Sequence, residues 1–342
     1  MVVEYGSLDV RPYQLLCCIC RLGRKGGQEY YFEERLEGVA AAVRGNPSLP
    51  ITVQCNVDTN YRYQNPGRGY DTPEGKLFND KRDLDILHLL GLVPGSTRPA
   101  FELFCRVFKD IPTCRGICAY EKATSEAWLG CRLANSGNYE RGHTMGVEAL
   151  IPGRSASAKV RAKAASVSEL FAAKCLRIRP HHLMCITCFH AGKKHIAPIE
   201  QDNLCEAIEV IRETPRIPVT LIPGPCMICP PCSSYHEPTG LCVSGSGMAL
   251  RDQKKDLDVL QLLGMAYGDT MAAQDLLQRL YAAVRSTRQI CGYGDGKTRG
   301  PEWRICGGPN GNPSYVRGRE CGLNVPEIHP DRLVQDHAAS RQ

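Results

Sequence analysis

No stretch of the chain approaches eighteen consecutive apolar residues, so a membrane-spanning helix is not expected. Aromatic side chains are scarce. Seven Phe, two Trp and fourteen Tyr, with no basic stripe interleaved among them, offer no stacking platform for single-stranded nucleic acid. A strong charge of one sign is also missing: 42 Lys and Arg against 36 Asp and Glu leave +6, too little and too scattered to call for nucleic acid or an anionic membrane as partner. The opening residues Met-Val-Val-Glu-Tyr-Gly carry no basic region followed by an apolar run and a small-residue cleavage site, which makes a cytoplasmic location the expectation. No Gly-rich phosphate loop follows a strand, and no hydrolase triad, paired carboxylates or nucleotide motif stands out.

What the chain has in excess is cysteine, nineteen in 342 residues. An odd number in a chain without an export signal argues for metal ligation over a disulfide framework. The densest group is Cys226-Met-Ile-Cys229-Pro-Pro-Cys232, with Cys242 after nine further residues. Pro223, Gly224, Pro225, Pro230, Pro231 and Gly240 oppose helix and strand there, so the segment reads as a binding loop. C-x-x-C-x-x-C begins the ligand run of bacterial ferredoxins, in which a fourth Cys follows three residues later and precedes Pro. That fourth Cys is absent. Cys242 is the nearest substitute, and Cys291 or Cys306 can equally complete the shell. Structural zinc sites usually draw on two separated pairs, so three close thiols favour an iron-sulfur cluster, 4Fe-4S first, with zinc as the alternative. A thiol-disulfide pair or plain buried cysteines is the remaining reading.

The chain also repeats itself. Arg11-Pro-Tyr-Gln-Leu-Leu-Cys17-Cys-Ile-Cys20 lies on Arg179-Pro-His-His-Leu-Met-Cys185-Ile-Thr-Cys188 at an offset of 168 (179 minus 11). The match runs on through Leu36 and Leu204, Pro50 and Pro218, Thr52 and Thr220. After a loop of different length, Asp83 to Gly91 lies on Asp256 to Gly264 at an offset of 173 (256 minus 83), and Cys118, Trp128 and Cys131 answer Cys291, Trp303 and Cys306. Each unit is expected to open with a short helix that has Pro in its first turn. A second helix follows, with the stripe Leu36, Val39, Ala40, Val43 or Leu204, Ala207, Ile208, Ile211. A short strand comes next, Pro50 to Val53 or Pro218 to Ile222, and two more helices close the unit, the first capped by Gly91 or Gly264. The expectation is an α+β fold, predominantly helical, in two similar lobes related by a pseudo-two-fold axis. The division is a first repeat at 1–141 with a degenerate metal loop, a linker at 142–173 whose last part, Val167 to Ala173, can be helical, a second repeat at 174–308 with the cysteine metal loop, and an extended tail at 309–342.

The halves differ where the chemistry lies. The first has only Cys55 in place of the loop thiols, so the metal is assigned to the second. His181 and His182 become Tyr13 and Gln14 there. His181 and Cys185, four apart on a helix, can both face a metal. The weightier reading makes Cys185 and Cys188 core residues and the two histidines hydrogen-bonding groups. Cys105, Cys114, Cys175, Cys205 and Cys321 show no partner spacing.

The second unit resembles a small bacterial and archaeal family, domain of unknown function twelve eighty-four, whose members open with R-P-H-H-L-L-C. The resemblance covers nearly all of 176–308 and rests on Arg179 to Cys185, on Cys229-x-x-Cys232 with Gly240-Leu-Cys242, on the Asp256 to Gly264 helix, and on Ile290-Cys-Gly292 with Trp303 and Cys306. It implies an iron-sulfur cluster held by these cysteines. This chain departs from the pattern by carrying two units, by a longer loop between Cys291 and Trp303, and by lacking the second Cys that the family has soon after Gly292. The expected function is a cytoplasmic iron-sulfur protein in electron transfer or redox sensing with a redox partner protein. The alternatives are a redox enzyme or accessory subunit using the cluster, and a zinc-stabilised binding module.

Overall fold

Short parallel strands need a crossover, and helices supply it twice in this chain. The computed structural model describes residues 6–26, 30, 33–57, 72–191, 193, 195–243, 248–291, 311–322 and 327–328. The fold is α+β and divides into two units, Met1–Gly153 with Val243–Gly245, and Arg154–Cys242 with Ser246–Gln342.

In the first unit β1 (Leu8–Val10) leads into α1 (Pro12–Leu22) and α2 (Glu33–Gly45), which return the chain to β2 (Pro50–Val53) parallel to β1. Then come α3 (Lys76–Leu89), β3 (Thr97–Pro99) antiparallel to β2, α4 (Ala100–Asp110), α5 (Asn138–Thr144) and α6 (Val147–Leu150). Pro12 starts α1 because its missing N–H is one that no helix needs at that position. The free N–H of Tyr13 donates to Asp83 Oδ1 of α3 at 3.0 Å, and Asp83 Oδ2 takes Arg11 Nε at 2.5 Å. The expected stripe of α2 is buried throughout, as Leu36, Val39, Ala40 and Val43 join the unit's core.

The second unit opens with α7 (Ala156–Phe171) and β4 (Leu176–Ile178), followed by α8 (His182–His190), β5 (His195–Ile196), α9 (Leu204–Glu213) and β6 (Pro218–Leu221). A two-stranded hairpin, β7 (Tyr235–His236) and β8 (Leu241–Cys242), precedes α10 (Met248–Leu263), β9 (Thr270–Ala272), α11 (Ala273–Ala283), α12 (Pro313–Cys321) and β10 (Glu327–Ile328). Its three-stranded sheet runs β4-β6-β9, parallel then antiparallel, as the first runs β1-β2-β3. No described helix is long and apolar enough to cross a membrane.

Two expectations change. The stretch 142–173 is mostly helical: Ser155 Oγ accepts the Ala158 N–H at 3.1 Å to cap α7, and an alanine-rich sequence carries the helix on to Phe171. Helix α7 then packs into the second unit, with Leu170 in its core, Lys163 paired to Glu206 at 2.5 Å and Ser166 accepting from Asn203 at 2.8 Å. The tail, expected to be extended, carries α12. Asn312 caps it by accepting the Ser314 N–H at 2.9 Å, Pro313 opens it, and Tyr315 is fully buried.

Candidate metal centre

Leaving β6, the chain turns at Gly224 (φ 73°) into three successive turns, in which Cys229 N–H donates to Cys226 O (2.9 Å), Cys232 N–H to Cys229 O (2.9 Å) and Tyr235 N–H to Cys232 O (3.0 Å). A three-residue period stacks every third side chain on one side, and that is how the C-x-x-C spacing acquires a shape. Neighbouring elements tie the loop down. Met227 N–H donates to Arg177 O at 3.2 Å, Asn203 Nδ2 donates to Met227 O at 2.9 Å, and Arg154 Nη1 reaches the carbonyls of Pro230 and Cys232 at 2.5 and 3.3 Å.

Helix α8 supplies the facing side. His182 Nδ1 lies 3.1 Å from Cys226 Sγ, and the Cys229 thiol donates to the same sulfur at 3.9 Å. The donor atoms of His182, Cys226 and Cys229 all lie within 4.8 Å of one another. Burial alone pushes the Cys226 thiol up, but the hydrogen bond from Cys229 and the nearby His182 outweigh it and hold Cys226 well below the usual thiol range. Cys229 moves the opposite way, first because it donates to Cys226 and then because it is buried. Of the two sulfurs, Cys226 is thus the one whose thiolate is favoured, and metal binding requires that both be deprotonated.

His181, at the head of α8, is fixed from behind. Its Nδ1 lies 2.8 Å from Asp256 Oδ1 and its backbone N–H donates to the same oxygen at 3.0 Å, while Arg179 Nε and Nη2 hold Asp256 Oδ2 at 3.0 and 2.7 Å. Burial holds His181 well below the usual imidazole range despite Asp252, so the ring is neutral, Nδ1–H points at Asp256, and Nε2 keeps its lone pair. This is the carboxylate–imidazole arrangement that orients metal-binding histidines. His181, His182 and Cys185 form a second group whose donor atoms lie within 4.8 Å of one another.

Of the residues expected from the sequence, Cys226 and Cys229 come together. Cys232 is half-buried with its sulfur accepting the Ser234 N–H at 3.4 Å, and Cys242 sits in β8 opposite Tyr235. Cys291 is half-buried against the second core, its N–H donating to Thr287 O at 2.6 Å. Among the described residues, no group of three donors within 4.8 Å includes Cys232, Cys242 or Cys291. Cys306 and Trp303 lie outside the described residues. His182, expected as a hydrogen-bonding group, has Cys226 as its partner, which the sequence did not name. Its only signal was the second His of the R-P-H-H run. No protein-family model, curated protein or solved structure matches the chain.

Proposed function

We propose that the chain is a metal-binding protein made of two copies of one α+β unit, and that the second copy carries a single-ion centre on Cys226, Cys229 and His182, zinc before other ions. The observation that carries this is the 3.9 Å between the Cys226 and Cys229 sulfurs. Thiolates on one tetrahedral ion with metal–sulfur bonds of about 2.3 Å stand about 3.8 Å apart, so the two are spaced for one centre, and an imidazole beside them suits zinc. Asp256 and His181 support the site from behind.

The duplication is supported by more than the sequence match. The registers Leu8↔Ile51 and Leu176↔Val219 are equivalent, Thr52 meets Thr97 at 2.8 Å as Thr220 meets Thr270 at 2.7 Å, and Arg11–Asp83 answers Arg179–Asp256. Tyr139 donates to Ile111 O, and Tyr315 to Val284 O. The second repeat therefore extends into 309–342.

A second reading keeps the iron-sulfur cluster in this loop, with electron transfer or redox sensing to a partner protein. It is favoured by Cys232 and Cys242, which bring the loop to four thiols. Protein purified without oxygen is expected to hold zinc that both Cys229→Ser and His182→Ala remove and Cys55→Ser leaves in place. Zinc retained in Cys229→Ser overturns the site. A visible absorption band lost in Cys232→Ser and Cys242→Ser moves the assignment to the second reading.

A further inference from the structure

The first unit contains a cavity whose wall includes five cysteines: Cys17 and Cys20 from α1, and Cys114, Cys118 and Cys131 from the segment between α4 and α5. All five are free thiols. Gly130 allows the closest approach, because a Cβ there would stand 2.6 Å from Cys118 O, and with φ 81° it lets the Cys131 N–H donate to Cys118 O at 2.7 Å. The Cys114 sulfur donates to Ala134 O at 3.4 Å and lies 3.8 Å from Glu140 Oε1, whereas the Cys20 sulfur has, among the described residues, only the Tyr30 hydroxyl at 3.4 Å, itself able to donate to a thiolate.

Buried cysteines are often only small apolar side chains. Arg82 argues against that here. Its guanidinium lines the same cavity at 2% exposure, and its hydrogen bonds go to the neutral Asn79 Oδ1 (2.5 Å) and Thr72 Oγ1 (3.2 Å). Among the described residues no carboxylate comes within 4.0 Å of it, and its Nε has no hydrogen-bond partner. Glu74, the one acid in the wall, leaves its own Oε2 unpartnered. In the second unit the matching cation is Lys255, and it is paired with Asp252 at 2.8 Å at the position where the first unit has Asn79. The Tyr13 ring, 4.1 Å from Arg82, gives a cation–π contact, which offsets only part of the cost of a buried charge without an ion-pair partner. The cavity thus holds a buried cation facing thiols, with no carboxylate among the described residues close enough to form an ion pair with it.

We propose that this cavity is an iron-sulfur cluster site with Cys17, Cys20, Cys118 and Cys131 as ligands and Arg82 as the buried counter-charge. On binding, the four thiols release their protons to solvent and become thiolates on separate irons. A single ion does not fit. No three of these sulfurs lie within 4.8 Å of one another, whereas thiolates on one tetrahedral ion stand about 3.8 Å apart. A cluster spreads its ligands over several irons. The site is independent of the zinc centre of the second unit.

The test uses the full chain, purified without oxygen and reconstituted with sulfide and equal amounts of ferrous and ferric iron, which together supply the mixed valence of the cluster. Bound iron, acid-labile sulfide and visible absorption are expected in the wild type and in Cys229→Ser. They should be lost in Cys118→Ser and in Cys131→Ser, with zinc retained in both as the sign of an intact second unit. Arg82→Gln should weaken iron retention roughly tenfold, as loss of a supporting group does, and Arg82→Lys should restore it. Cys18→Ser, whose sulfur faces Leu36 O at 4.0 Å, should keep its iron. A colourless reconstituted wild type overturns the proposal. So does iron that persists in Cys118→Ser or that disappears in Cys229→Ser.

Discussion

His190, the last residue of α8, is 2% exposed, and its Nδ1 has no hydrogen-bond partner among the described residues. Burial first, and Lys193 second, lower its pKa to about 4, against about 6.5 for an unfolded histidine. Above pH 6.5 the ring is neutral in both states and stability does not depend on it. As pH falls below 6.5 the unfolded chain takes up the proton first, so stability drops by about 1.4 kcal/mol per pH unit until the folded ring also protonates near pH 4, about 3 kcal/mol in all. Urea denaturation between pH 7 and 4 should therefore show a shallower acid loss for His190→Gln than for the wild type. Parallel profiles for the two proteins would mean that His190 meets its proton equally in both states.

At the scale of elements, glycine decides how closely two helices pack. A Cβ on Gly142 of α5 would lie 1.9 Å from Ile19 O of α1, and one on Gly23 would lie 2.1 Å from Asn138 O. Gly318 of α12 meets Thr187 O of α8 at 2.6 Å in the same sense. Gly142→Ala must push α1 and α5 apart, with a cost of about 1–3 kcal/mol as in other overpacked contacts. Because α1 carries Cys17 and Cys20, the variant should lose iron as well as thermal stability. An unchanged melting temperature would show that the helices have room the geometry denies. The sequence was legible where a local rule sufficed: the stripes of α2 and α9, the strand Pro50–Val53, and Gly91 and Gly264 as left-handed caps at φ 59° and 57°. Strands β1, β3, β4 and β9, three residues each, are too short to show alternation, and only their pairing with β2 or β6 makes them strands. The same limit applied to the site. Spacing revealed Cys226 and Cys229, but nothing local says that His182 points at Cys226, or that Cys17, Cys20, Cys118 and Cys131, up to 114 positions apart (131 minus 17), share one wall.

Across the whole molecule, each unit encloses its own apolar cluster, and each is tied by one buried ion pair between the start of its first sheet-flanking helix and the helix that ends at Gly91 or Gly264. Breaking such a pair by removing the acid leaves a buried guanidinium uncompensated, at about 3–5 kcal/mol. Asp80, 3.8 Å from Arg11, and Asp252, 3.9 Å from Arg179, stand too far off to take over the hydrogen bonds. Amide exchange reports such losses segment by segment, since cooperative units open with their own free energies. Asp83→Ala should speed exchange in α1, α3, β1 and β2 by roughly a hundredfold or more, at about 1.4 kcal/mol per tenfold, and leave α8, α10, β4 and β6 at wild-type rates. Asp256→Ala should do the reverse, and because His181 then loses the acceptor that fixes its ring, zinc should bind roughly tenfold or more weakly as well. Faster exchange in both sets of segments from either single variant would mean that the two clusters open as one unit. In that case the ion pairs secure one common fold and not one core apiece.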